Sequence, residues 1–316
     1  MSTVTITGVA SYFAMSLLPL LDREERIRRI IGFDVREPPG SYAKLEFHLC
    51  DIRDPAVERF VREADVVLHL AFIVDEMKDK RLSHDINVGG TTNLLKALEH
   101  HKVKKVVYTS SIAAYGSHPE NPAAISEDVT LRPTPDCYYS TDKAEVEGLF
   151  ASFMARNPGL VCTILRPCLV FGPHTDNMFT RFFSRKLIPT LRGKDVEVQF
   201  LHEEDLGRAL SQAILEDHPG IYNLAPEDPV RMSELVRLGG SIAVPLPAWL
   251  AKHGANLLFK IGLMPFSQAW VSMQENPICV SSEKFFKEFG WKPRYSSREA
   301  VMDYIRAREK KKGKRP

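Results

Sequence analysis

The sequence predicts an α/β fold: a doubly wound parallel sheet with a smaller, mainly helical C-terminal substrate domain. Three observations carry this prediction. Through the first two-thirds of the chain, short β-branched runs alternate with longer helical patterns. The runs are too apolar to face water on either side, as strands of a parallel sheet covered by helices must be. Beyond Pro226 the alternation gives way to a mainly helical pattern punctuated by Pro245, Pro247, Pro265, Pro277 and Pro293.

The elements follow in order. Residues 3–7 read as the first strand, and 12–21 as a helix with Leu17, Leu18 and Leu21 on one side. Further strands are expected at 29–34, 44–48, 66–70, 105–110 and 161–165, with helices at 87–101 and 139–156. Repeated βα units of this length imply right-handed crossovers. Residues 174–195 show no clear alternation, while 196–201 and 220–224 look like short returns to the sheet. The 316 residues fit two domains at roughly 150 each. The expected division is a nucleotide-binding domain of 1–173 plus about 196–225, and a substrate domain of 174–195 and 226–309. A basic tail, 310–316, is expected to be disordered.

Composition narrows the function classes. Hydrophobic residues make up 44% and charged residues 26%, ordinary globular usage. The net charge is +2, but five cations sit in the last seven residues, which leaves the body at −3. That removes the case for a basic nucleic-acid-binding face. The five cysteines are odd in number and form no C-x-x-C pair, so neither a disulfide framework nor a metal site is expected. Buried, reduced thiols in a cytoplasmic protein are the expectation. The N-terminus lacks the basic and apolar regions of a signal peptide. The most apolar run, 244–270, is interrupted by Lys252, His253, Asn256 and Lys260, so no membrane span is expected.

Chemistry concentrates in two places. The first strand runs into Thr7-Gly8-Val9-Ala10-Ser11-Tyr12-Phe13-Ala14 and then a helix. Such a strand–turn–helix places backbone N–H groups and a positive helix end where a pyrophosphate can sit. Asp34, twenty residues after Ala14, can accept both ribose hydroxyls of an adenosine and repel a 2′-phosphate. Asp51-Ile52-Arg53-Asp54 follows the third strand. Ser11 and Ala14 stand where glycines are usual, and a structural turn beside a surface Asp is the competing explanation. The second place is Tyr139-Ser140-Thr141-Asp142-Lys143, which opens a helix after the fifth strand. Residues four apart share a helix face. A lysine there can lower the phenol's pKa and bind a ribose hydroxyl, leaving the tyrosine to act as general acid or base. A serine in Thr109-Ser110-Ser111 could hydrogen-bond the reacting oxygen.

These segments together resemble an extended short-chain dehydrogenase/reductase of the NAD-dependent epimerase/dehydratase family, over about residues 3 to 305. His69-Leu70-Ala71, Asn87-Val88-Gly89-Gly90-Thr91, Leu165-Arg166-Pro167, Val170-Phe171-Gly172-Pro173 and Phe289-Gly290-Trp291 extend the match. The resemblance implies a Rossmann sheet and an NAD cofactor. It implies Tyr139 as the catalytic acid/base, Lys143 on the nicotinamide ribose, and Ser111 on the substrate oxygen. It places Gly8, Ser11 and Tyr12 at the pyrophosphate, Asp34 at the adenosine ribose, and Asp51 and Ile52 at the adenine. Leu70, Ala71 and Thr109 would line the cofactor, with Pro167 to Val170 by the carboxamide. If the Ser11 position needs φ > 0, its Cβ costs on the order of 1 kcal/mol. Phe72 replaces a small residue and is expected to narrow the pocket.

Members of that family acting on nucleotide sugars usually carry Asn where this chain has Leu169, and Arg-Asp where it has Val198 and Gln199. Sugar 4,6-dehydratases follow their catalytic Thr with Asp-Glu, where Ile112 and Ala113 stand here. The segment 245–266 is notably apolar, either as small-domain core or as a pocket for a hydrophobic substrate. His174 and His202 are read as structural. The expected function is an NAD-dependent oxidoreductase acting on a secondary alcohol or ketone, a small-molecule substrate. An NAD-dependent sugar epimerase and a non-catalytic dinucleotide-binding sensor are the alternatives. A homodimer is expected, from apolar residues Leu94, Leu95, Leu98, Val146, Leu149, Phe150 and Phe153 on the 87–101 and 139–156 helices.

Overall fold

The computed structural model describes residues 1–101 and 103–313. The first half alternates as expected: β1 (Ser2–Thr7), α1 (Tyr12–Arg23), β2 (Ile27–Asp34), β3 (Leu45–Leu49), α2 (Val57–Arg62) and β4 (Val66–His69). Next come α3 (Lys80–His84) and α4 (Gly90–His100), joined through a π-helical turn at Asp85–Gly89, then β5 (Lys105–Thr109), α5 (Tyr138–Arg156) and β6 (Val161–Pro167). The rest is β7 (Leu169–Phe171), α6 (Met178–Phe183), β8 (Leu187–Leu191), β9 (Glu197–Val198), β10 (Phe200–His202), α7 (Glu203–Leu215) and β11 (Gly220–Leu224). Last are β12 (Val230–Arg231), α8 (Met232–Leu238), β13 (Ile242–Leu246), α9 (Ala248–Lys260), α10 (Gln268–Ser272), α11 (Glu283–Phe289) and α12 (Ser297–Gly313).

Seven strands form one parallel sheet in the order β11-β6-β5-β4-β1-β2-β3. Two cores cover its faces. Leu17, Leu18, Leu206, Leu210 and Phe285 pack on one side, and Val57, Leu94, Leu98, Val146 and Phe150 on the other. A third cluster, with Phe171, Phe182, Phe266, Trp270 and Tyr304, builds the C-terminal part. The five cysteines are buried and free.

Four expectations change. Residues 196–201 do not return to the main sheet: β9 pairs with β12 and β10 with β7. The buried Gln199 amide explains this, because it bonds Pro226 O, Val280 O and Val280 N and pins the segment to the C-terminal part. Residues 174–195 hold α6 and β8. The last helix continues to Gly313, so the start of the basic tail is helical, as Lys and Glu favour; residues 314–316 lie outside the described residues. Finally, six of the seven apolar residues expected to carry a dimer are buried in this chain's own core, and only Leu149 stays half-buried. The sheet face consumes the surface that argument needed.

A buried ion pair fixes α5 against the sheet. Glu147 accepts from Arg166 Nε at 2.9 Å and from Arg166 Nη2, and also from the Ser110 hydroxyl. Arg166 Nη1 donates to Tyr115 Oη at 2.6 Å, which donates to Asn223 Oδ1 at 2.9 Å. One network thus links α5, the segment after β5, β6 and β11. Replacing Glu147 with Gln strands the Arg166 charge, and a buried pair broken this way costs about 3–5 kcal/mol. Urea unfolding of Glu147→Gln against wild type measures it; a loss below about 1 kcal/mol would contradict this role.

Candidate functional site

The site lies at the C-terminal edge of the sheet, where an open α/β sheet presents loops from several strands. The β1–α1 turn is set by Gly8, at φ +69°. A Cβ there would meet Ala71 N at 2.6 Å, so turn and β4 end are in backbone contact. A polar chain locks the contact. Thr7 Oγ1 accepts from Leu70 N at 3.2 Å and Ala71 N at 3.0 Å, so its own proton goes to His69 Nδ1, 2.8 Å away. Thr91 donates to Asn87 O at 2.6 Å, so His69 donates from Nε2 to Thr91 Oγ1 at 2.9 Å. His69 is therefore neutral with the proton on Nε2, and burial pushes its pKa down to about 3.

Ser11 sits at φ −72°, ψ 154°, so it needs no glycine and carries no left-handed strain. It caps α1 by accepting from Ala14 N. The Tyr12 and Phe13 N–H groups have no hydrogen-bond partner among the described residues, two donors aimed from a helix start. Asp34 Oδ2 accepts Ala10 N at 3.0 Å, which holds its carboxylate against the turn. Arg53 engages both oxygens of Asp51 and holds that carboxyl below its usual range. Ile52 is buried against Gly90, where a Cβ would lie 2.4 Å from its Cγ2, so helix packing is its visible task.

Ser111, Tyr139 and Lys143 converge. The Lys143 ammonium donates to Thr109 O at 2.8 Å and to Tyr108 Oη at 3.3 Å, and lies 3.7 Å from the centre of the Phe72 ring. Thr109 Oγ1 beside it is buried without a partner among the described residues. Burial pulls Lys143 down to about 7, against the opposing charges of Glu147 and Asp142. Burial pushes Tyr139 up to about 12, and a hydrogen bond with Ser111 pulls it back. The Tyr139 ring packs against Phe72 at 5.6 Å and Trp270 at 5.4 Å.

Tyr12, Ser111, Tyr139, Pro167 and Val170 line one cavity; Gly8, Ser11, Asp34, Asp51, Ile52, Leu70, Ala71, Thr109 and Lys143 do not. Phe179, Trp270 and Met273 supply much of the remaining wall, and no Lys, Arg or His lines it. Sequence reasoning missed Trp270, Phe179 and Glu147. Only Glu147 left a signal, one helical turn beyond Lys143. His174 pairs with Glu203, and His202 takes Glu204 N on Nδ1 and faces Asp303 from Nε2, so both are structural. Among the described residues no helix is long and apolar enough to cross a membrane, and no cluster suits a metal ion.

Comparison with known proteins follows the same lines. The NAD dependent epimerase/dehydratase family matches residues 4–225. The uncharacterized protein Rv0501 of Mycobacterium tuberculosis is 28% identical, covering 96% of this chain and 84% of that protein. The uncharacterized protein y4nG of Sinorhizobium fredii is 30% identical, covering 95% and 77%. Short-chain dehydrogenase/reductase family 42E member 1 of Danio rerio is 31% identical over 64% of this chain and 55% of its own. Among solved structures, UDP-glucose 4-epimerase of Thermotoga maritima with UDP-glucose superposes with a TM-score of 0.78 at 18% identity, covering 98% and 99%. MoeE5 with UDP-glucuronic acid and NAD gives 0.77 at 20% identity, covering 98% and 99%. At such identities the likeness establishes the fold.

Lys143 also makes stability depend on pH. Its folded pKa lies below the unfolded value of 10.5, so between about 7 and 10.5 the unfolded chain binds the extra proton. Stability on this account rises with pH across that window and is lost as pH falls through it. Lys143→Met removes the group. The melting temperature of the variant minus that of wild type should be largest near pH 6 and shrink towards pH 10; a pH-independent difference would contradict the buried ammonium.

Proposed function

The chain belongs to the NAD dependent epimerase/dehydratase family, and on that premise we propose that it is an NAD-dependent oxidoreductase acting on the secondary alcohol or ketone of an apolar substrate. One observation carries the substrate class. The cavity beside Ser111 and Tyr139 offers no cation, and Glu197 is its one charged wall residue. Burying a diphosphate there would cost several kcal/mol. The basic residues that might have offset this point elsewhere: Arg181 pairs with Asp75 and Asp176, and Arg185 bonds Leu263 O.

The residues present fit a dinucleotide. Tyr12 and Phe13 N–H groups would take the pyrophosphate, Asp34 the adenosine ribose, and Lys143 with the unpartnered Thr109 hydroxyl the other ribose. Lys143 has three protons to give. Two serve Thr109 O and Tyr108 Oη, and the third faces the Phe72 ring. A ribose hydroxyl therefore reaches Lys143 only once Phe72 swings aside. Bound NAD would supply the hydride acceptor for alcohol oxidation, and its reduced form, NADH, the hydride donor for ketone reduction.

In alcohol oxidation Ser111 holds the substrate oxygen and Tyr139 takes its proton. In ketone reduction Tyr139 returns that proton to the oxygen. Its raised pKa makes the neutral phenol the resting form, ready to donate, and the hydrogen bond with Ser111 favours the phenolate needed to accept. Phe72 and Trp270 hold the ring in place and exclude water.

Two measurements test this reading. Calorimetry should find NAD at least about tenfold tighter than NADP, since the Asp34 carboxylate meets the 2′-position; equal or tighter NADP binding would contradict it. Tyr139→Phe keeps the ring packing and removes the proton. Net NADH formation from aliphatic and aromatic secondary alcohols should fall about 10²-fold or more, with NAD affinity unchanged. A near-normal rate, or turnover of a nucleotide sugar without net NADH, would refute the proposal.

A further inference from the structure

Seven of the twelve large apolar side chains exposed among the described residues come from two short segments. Leu187, Ile242, Trp249, Leu257, Ile261 and Leu263 are between 55% and 64% exposed. Leu187, Ile242, Leu257, Ile261 and Leu263 lie on neighbouring rows, with Trp249 at the start of α9. Leu187 and Ile242 are register partners in the β8–β13 pair. Leu250, Leu257 and Ile261 recur at helical spacing along α9 and its end. Arg185 ties the two rows, because its guanidinium donates to Leu263 O and its carbonyl accepts from Ser241 beside Ile242.

Charge identifies the occupant. Residues 177–194 and 235–274, which supply β8, β13 and α9, contain eight Lys and Arg and no Asp or Glu, in a chain whose body is net negative. Arg181 and Lys252 are paired with carboxylates from outside these segments. Arg185, Lys186, Arg192, Lys194, Arg237 and Lys260 make no ion pair among the described residues. Exposed Trp and Leu beside unpaired cations is the composition of a surface that lies in a membrane interface. A second copy of the chain would bring the same uncompensated cations face to face, which opposes association.

We propose that the α9 face, with Trp249, Leu257, Ile261 and Leu263 at its centre, docks on an anionic lipid bilayer without spanning it. The apolar side chains enter the acyl boundary, and the cations around them meet the lipid phosphates. A second apolar cavity lies under α9, lined by Leu250, Ala251 and Leu258, and shares Phe182, Phe266 and Gln274 with the cavity at Tyr139. Docking would thus set the membrane beside the wall of the reaction cavity. Docking itself stands or falls independently of the reaction assigned above.

The test is co-sedimentation of the full chain with phosphatidylcholine vesicles, with and without about 30 mol% phosphatidylglycerol. Each cation near an anionic surface strengthens adsorption about fivefold, so binding should be at least about tenfold stronger on the anionic vesicles. It should weaken at about 1 M salt, where screening is short-ranged. Trp249 is the one exposed tryptophan, so its emission should shift to the blue on binding. Trp249→Ser combined with Leu257→Ser, both on the surface, should lose sedimentation while keeping the melting temperature and NAD affinity. Wild-type protein left in the supernatant with both vesicles would overturn the proposal. So would binding that survives the double variant but is lost on deleting residues 310–316. Light scattering showing that the double variant turns a dimer into a monomer would overturn it in favour of self-association.

Discussion

One ammonium group, Lys143 Nζ, is held out of water at the edge of the parallel sheet, and its neighbourhood is built around that cost. A lone buried cation costs several kcal/mol unless it is hydrogen-bonded and compensated. Thr109 O and Tyr108 Oη bond it directly. The largest opposing charge comes one helical turn on, from Glu147, and Arg166 keeps that carboxylate in place. The residual imbalance lowers the lysine pKa to about 7. The same helix carries Tyr139 four residues earlier, so the pair that fixes α5 also fixes the phenol over the cavity. Positioning of the Tyr139 phenol, sheet packing and titration are one problem here.

Much of this was legible in the chain. Runs apolar on both faces allow only a covered parallel sheet, and Gly8 and Asp34 mark the ends of β1 and β2 by chemistry that survives without context. The spacing of Tyr139 and Lys143 implies one helix face, and the structure brings them to the same site. What sequence could not show is what each side chain meets. Ser11 looked like a costly substitute for glycine, yet its φ is negative and its hydroxyl caps α1. Leu94, Val146 and Phe150 looked like surplus surface, yet the sheet buries them. Gln199 reads as an ordinary polar residue until Pro226 and Val280 arrive from far along the chain to satisfy it. Trp270 and Phe179 reach the cavity from segments with no local signal of a site.

The C-terminal part joins two properties usually kept apart. Its interior is aromatic and free of cations around the cavity at Tyr139, with Glu197 the one charged wall residue, and its exterior is apolar and basic along α9 and the β8–β13 pair. The basic exterior follows from one compositional fact: no Asp or Glu occurs in 177–194 or 235–274. The proposed apolar substrate suits a cavity without cations, and the proposed anionic membrane surface suits the basic exterior.

In the proposed complex Lys143 gives up its contact with Phe72 when a dinucleotide binds. A crystal structure of the protein with NAD tests that directly. The expected result is the Phe72 ring turned away from Lys143, a ribose hydroxyl on Nζ and Thr109 Oγ1, and the nicotinamide opening onto the cavity at Tyr139. NAD bound with Phe72 still over Lys143, its ribose held elsewhere, would contradict it.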